Sequence, residues 1–109
     1  MGHRIVRTAL IQTRLNESAN SSLDVIKNSM LEKTLAQISE AANAGAKIVC
    51  LQELFYGPYF PAEQNARWYD MTERVPDGPT VKLMQEVAAK NQIVLVVPLY
   101  EEDMPGVYY

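Results

Sequence analysis

Residues 47–60 read KIVCLQELFYGPYF, and this stretch decides the fold. Lys47 to Gln52 is nearly continuous in apolar residues, the pattern of a strand covered on both faces. Glu53 follows at once, and then a loop, Leu54 to Pro61, punctuated by Gly57, Pro58 and Pro61. A carboxylate at the end of a buried strand loses solvation. It is retained only where it is paired, exposed at the strand mouth or used as a proton carrier.

Upstream, Ile5 to Ile11 (IVRTALI) is apolar and β-branched and reads as a buried strand. The polar segment Gln12 to Ser22 reads as a loop, with Ser21 or Ser22 placed to cap the next helix. From Leu23 to about Ala44, Leu23, Ile26, Met30, Leu35, Ile38 and Ala42 recur mostly at steps of three and four, so one helix face is apolar. Lys27, Glu32, Lys33 and Glu40 are its polar positions, and Gly45 stops it. Strand, helix and strand in this order predict a βαβ unit with a right-handed crossover.

Downstream, Ala62 to Met71 could hold a short helix presenting Trp68 and Tyr69 as packing residues. VPDGPT, residues 75–80, is a turn into a second helix, with Asp77 or Thr80 as its cap and Pro79 in an early, tolerated position. Val81, Met84, Val87 and Ala88 mark its apolar face, and it ends near Asn91. Ile93 to Leu99 (IVLVVPL) predicts a third buried strand. The acidic turn EEDMPG follows, and Val107 to Tyr109 begins a fourth strand. That strand is not closed by a cap or turn, so the chain is expected to be the N-terminal portion of a single longer domain, spanning residues 1–109.

Composition excludes several functions. Of the 109 residues 48% are hydrophobic and 21% charged, as in a globular core and unlike a disordered tail. The net charge is −3 with scattered Lys and Arg, which argues against nucleic-acid binding. No apolar run approaches the roughly 20 residues needed to span a membrane. The start shows no secretory pattern, and the single cysteine, Cys50, cannot form an internal disulfide, so a cytoplasmic location is expected.

The chemistry converges on Glu53. In open α/β sheets ligands gather outside the carboxyl ends of the strands. Roofed by Phe55, Tyr56, Tyr59 and Phe60, a carboxyl there could take and return protons near neutrality. Alternatively it caps a backbone or pairs with a basic residue, and spacing alone does not separate the two. Cys50 lies three residues before Glu53 inside the strand, where alternation sends the two side chains to opposite faces. It reads as an apolar filler. His3 stands alone, no metal-ligand spacing is present, and no glycine-rich phosphate loop follows the first strand, which disfavours a dinucleotide-binding module. The aromatic run FYGPYF can wall a pocket or pack at a subunit interface.

These residues resemble the nitrilase superfamily of carbon–nitrogen hydrolases over nearly the whole chain. RTALIQ is similar to that family's first strand. EAANAGAKIVCLQELF resembles its first catalytic motif, VPDGPTVKLMQEVAAKNQIVLVVPLYE its next helix and strand, and GVYY the start of a further strand. The LQELF and GPYF wording is most similar to the N-carbamoyl amidohydrolase branch, in which Gln52 also replaces a common proline. The resemblance implies an α/β fold, the N-terminal part of a four-layer αββα sandwich. It also implies a Glu-Lys-Cys triad, with Glu53 as general base and the Lys and nucleophilic Cys outside this chain. Phe55, Tyr59 and Phe60 would contact a small-molecule substrate, and the chain would assemble with further copies of itself as a dimer or larger homo-oligomer. No metal or organic cofactor is implied. The 109 residues alone should be inactive. Competing expectations are an aliphatic amidase or nitrilase, and a non-catalytic scaffold that works by association.

Overall fold

The first helix shows how the local sequence builds the molecule. In the computed structural model, which describes residues 2–109, α1 spans Leu23–Asn43. Ser22, one of the two expected caps, accepts from the Val25 N–H through Oγ at 3.4 Å, and Asp24 places a negative charge in the first turn. Ile26, Met30, Thr34 and Ile38 recur every four residues and are buried. The helix stops at Ala44, where Gly45 takes φ +93°, a left-handed conformation that glycine adopts without steric cost.

This helix connects β1 (Thr8–Ile11) to β2 (Ile48–Leu51), and α2 (Pro79–Asn91) leads into β3 (Val94–Val96). The three strands form a parallel sheet in the order β1-β2-β3, so the strand order follows the chain order. Between β2 and α2 lie two short 3-10 turns, Phe60–Ala62 and Ala66–Met71, in place of the single short helix expected there. The acidic EEDMPG segment is more than a turn. Glu102–Met104 forms β4 and pairs antiparallel with β5 (Val107–Tyr108), around Gly106 at φ +87°. The expected fourth strand is therefore the return arm of a hairpin and not a fourth member of the parallel sheet.

Register shows that the sheet has one covered face and one open face. Ala9, Val49 and Leu95 align in one row, and Ile11 pairs with Leu51. These side chains join the core with Ile26, Met30, Ile38 and Met84 from the two helices. Leu10, Cys50 and Val96 form an alternate row, beside Thr8, Ile48 and Val94. In these rows Leu10 is 84% exposed and Val94 61%.

The expectation of strands buried on both faces is thus corrected. Both helices pack on the same side, and the apolar residues of the other face meet no layer among the described residues. The first strand is also shorter than Ile5 to Ile11, because Ile5 and Val6 are exposed and pair with nothing. The third ladder covers Val94–Val96 and not Ile93 to Leu99. What is present is one helical layer and one sheet, half of the expected αββα arrangement.

Candidate functional site

The C-terminal end of β2, the central strand, carries the candidate site. Gln52 follows the strand, and its Oε1 accepts from the Thr13 N–H at 2.7 Å, which ties the mouth of β2 to the segment leaving β1. Glu53 and Leu54 then turn the chain. Leu54 adopts φ +53°, a left-handed conformation that costs a residue with a side chain roughly 1–2 kcal/mol. The Gly57 N–H donates to the Leu54 carbonyl at 3.0 Å and closes the turn.

Phe55 and Tyr56 anchor the turn from below. Both are buried, Phe55 to 1% exposure, and their rings meet edge to face at 5.1 Å and 79°. The Tyr56 hydroxyl donates to the Met71 carbonyl at 2.8 Å. Burial, and next the negative charge of Glu73, push the Tyr56 phenol well above the ordinary tyrosine range. With two successive anchors pulled inward, Glu53 is left facing solvent. Of the four aromatic side chains expected to roof Glu53, Phe55 and Tyr56 turn into the core instead.

The other expected substrate contacts separate. Tyr59 is 62% exposed. Phe60 is half-buried, 4.6 Å from the Tyr100 ring and 6.2 Å from the Trp68 ring. With Glu63, Tyr69 and others these residues line a cavity of about 390 Å³. A larger cleft of about 500 Å³ lies between α2 and β3 and is walled by Val75, Met84, Leu95, Leu99 and Tyr109. Glu53 lines neither. Of the packing residues expected, Trp68 is buried, with Arg67 4.3 Å over its ring, while Tyr69 stacks on Tyr108 at 4.5 Å and stays half-exposed. Cys50 sits inside β2 on the open face, its Sγ 3.5 Å from the Leu51 carbonyl.

Sequence reasoning missed the most buried carboxylate. The Glu73 side chain is 4% exposed and lies 3.2 Å from the Lys27 ammonium on α1. Its other oxygen accepts from the Thr80 and Val81 N–H groups at 2.8 and 3.1 Å, the unsatisfied donors at the start of α2. Neither Asp77 nor Thr80 caps that helix. Gly78 occupies the cap position without a side chain, and Glu73 does the capping from outside. A Cβ on Gly78 would clash with the Arg74 carbonyl and come within 2.7 Å of Glu73 Oε1, so the close approach requires glycine. Glu73 stands too far before α2 for a local pattern to reveal it. Lys27 did leave a signal, since it occupies the apolar stripe of α1, four residues after Leu23 and three before Met30.

A parallel sheet with helices on one face and a carboxylate turned outward at the mouth of its central strand defines a class of fold, the open α/β sheets whose ligands gather outside the carboxyl ends of the strands. Residues 7–109 match the profile of the family described as Carbon-nitrogen hydrolase. The beta-ureidopropionase of Arabidopsis thaliana is 33% identical over 101 residues, covering 93% of this chain and 24% of that protein. The citrullinase of Francisella tularensis is 30% identical over 103 residues, covering 94% of this chain and 33% of that protein. An N-carbamoylputrescine amidase of Oryza sativa is 35% identical over 65 residues, or 60% of this chain and 22% of that protein. The crystal structure of a carbon-nitrogen hydrolase from Helicobacter pylori G27 superposes with a TM-score of 0.70 at 21% identity, over 95% of this chain and 33% of that one. The chain belongs to the carbon–nitrogen hydrolase family, the nitrilase superfamily, and its fold is a fragment of that family's sandwich. It spans about a quarter to a third of the length of the relatives it matches.

Proposed function

We propose that this chain supplies the general base of a carbon–nitrogen hydrolase acting on a non-peptide amide, an N-carbamoyl amine or amino acid. The observation that carries the reading is Glu53, solvent-facing at the mouth of the central strand on a turn pinned by Gln52 before it and by Phe55 and Tyr56 after it. A base must be reachable by substrate, and a solvent-facing carboxylate on a held backbone turn at the strand mouth meets that need. Relatives named for N-carbamoyl substrates support the branch. An ω-amidase, NIT2 of Homo sapiens, is 34% identical over 104 residues, so a simple amide is the nearest competing substrate.

The chemistry follows from the residue types. A cysteine thiol supplied from outside this chain gives its proton to the Glu53 carboxylate, and the thiolate attacks the carbamoyl carbon. A lysine, also from outside, and a backbone N–H hold the developing oxyanion. Glu53 returns the proton to the leaving amine, and water then releases the thioester-bound remainder. A carbamoyl substrate yields amine, carbon dioxide and ammonia. Tyr59 and Phe60, on the same loop, would contact the substrate, whereas Phe55, expected to do so as well, is buried in the core and would act by supporting that loop.

Replacing Glu53→Gln in the full-length protein should lower turnover of N-carbamoyl-β-alanine, N-carbamoylputrescine and an ω-amide by at least ~10²-fold, with an unchanged circular dichroism spectrum. Activity within a factor of two of the parent overturns the base assignment. The isolated 109-residue chain should show no turnover above background.

A second reading is favoured by the open face of the sheet. Leu10, Val94 and Val96 expose apolar surface that a scaffold could use for association. A full-length protein that hydrolyses none of the panel yet self-associates through this face would support it.

A further inference from the structure

Glu53 has no ion-pair partner among the described residues, where the one ion pair is Lys27–Glu73. Its direction therefore depends on the backbone turn that carries it. The turn is held at Gln52 by Thr13 and at Tyr56 by everything packed around that ring. The Lys27 ammonium lies 4.8 Å from the centroid of the Tyr56 ring, within cation–π range, and at the same time 3.2 Å from Glu73 Oε2.

Glu73 is itself fixed from several directions. Its Oε1 accepts from the first amides of α2, its N–H donates to the Tyr100 carbonyl at 3.0 Å, and its carbonyl accepts from the Glu102 N–H at 3.0 Å. The carboxylate is thus a fixed post, set by α2 and the hairpin, and Lys27 is the link from that post to the ring beneath the Glu53 turn. Stability alone does not call for such a pair, since apolar residues of similar volume often replace a buried ion pair without loss. The sharing of one ammonium between the carboxylate and the ring is what needs a cause.

We propose that Lys27 and Glu73 are positioning residues for the Glu53 turn: Glu73 orients the Lys27 ammonium, the ammonium fixes the Tyr56 ring, and the ring sets where Glu53 points. The proposal rests on the reading of Glu53 as the base. Neither residue touches substrate. Loss of the link leaves the carboxylate present but free to swing, and a displacement of about 1 Å in a reacting group can lower a rate about 10²-fold.

The test is made in the full-length protein. Lys27→Met keeps the aliphatic stem and removes the charge. Glu73→Gln keeps an acceptor for the α2 amides and removes the charge. Each should lower kcat roughly tenfold or more while KM moves less than about twofold, and Lys27→Arg should restore most of the loss. Amide hydrogen exchange from Leu54 to Gly57 should quicken in the first two variants and not in Lys27→Arg. Ile38→Val, three turns further along α1, thins the same core and should leave kcat and these exchange rates unchanged.

Tyr56→Leu removes the ring and leaves the ion pair in place. Its effect on kcat should not add to that of Lys27→Met in the double variant. Full additivity, or a turn whose exchange rates do not respond to Lys27→Met, overturns the proposal. Should Lys27→Met fail to fold, the exchange rates of Glu73→Gln and Tyr56→Leu decide by the same criterion. Retained activity in Glu53→Gln would refute the base assignment instead, and the exchange data would still judge the link from Lys27 to the turn.

Discussion

Tyr56 and Gly78 are the residues whose chemistry is most constrained. The Tyr56 phenol is held neutral by burial and by the nearby Glu73 charge, so its folded-state pKa lies above that of the unfolded chain. Above about pH 10 an unfolded tyrosine loses its proton while the folded one keeps it. The folded state then binds more protons, and stability falls as pH rises, by up to about 1.4 kcal/mol per pH unit. Urea unfolding between pH 9 and 11.5 should show this slope in the parent, and Tyr56→Phe should reduce it. At neutral pH the same variant loses the bond to the Met71 carbonyl, about 1 kcal/mol. Gly78→Ala forces its new methyl against the Arg74 carbonyl and the Glu73 carboxylate. It should cost about 1–3 kcal/mol, read as a lower thermal midpoint.

At the scale of elements, the two helices are started by different means. Ser22 caps α1 through its own hydroxyl, whereas α2 borrows its cap from Glu73. Ser22→Ala should therefore cost about 0.5–1 kcal/mol. Glu73→Ala also strands the Lys27 ammonium, which is only partly wet, and should cost about 3 kcal/mol or more. Chemical denaturation of the two variants checks the order, and equal losses would mean that Glu73 is no more than an ordinary cap.

This contrast also explains what the sequence could reveal. Helices and strands of the βαβ unit were legible because apolar periodicity and capping residues are local signals. Glu53 was singled out because a carboxylate beside a strand end stands out. Glu73 was not, since its partners Lys27, Thr80 and Glu102 are brought together only by the fold. Burial of the strands was misjudged for a related reason. An apolar row in a sequence states that a face wants cover, and Leu10, Val94 and Val96 show that wanting cover and having it are separate facts.

For the whole molecule, the radius of gyration is 15.2 Å, against about 13 Å for a compact domain of this length. The N-terminal segment is exposed and one face of the sheet is open. That face should govern the solution behaviour of the 109-residue chain. Leu10→Thr combined with Val94→Thr should reduce concentration-dependent association in sedimentation velocity while changing stability by less than about 1 kcal/mol, because both side chains are already in water. Undiminished association would place the sticky surface elsewhere, with the aromatic patch around Tyr69 and Tyr108 the next place to look.

The chain-order arrangement of β1, β2 and β3 bears on how the protein is made. Each strand docks beside one that has already left the ribosome, so the sheet can assemble during synthesis without waiting for a distant partner. The Glu73 carboxylate is the exception. Its lysine emerges early, the α2 amides later, and the Glu102 N–H that seats its backbone later still, a span of several seconds at roughly 5–20 residues per second. The turn bearing Glu53 should accordingly stay open to protease in nascent chains arrested before α2 has emerged, and become resistant once the hairpin is out. A polar group that finds its partners late would then be the one proposed to orient Glu53.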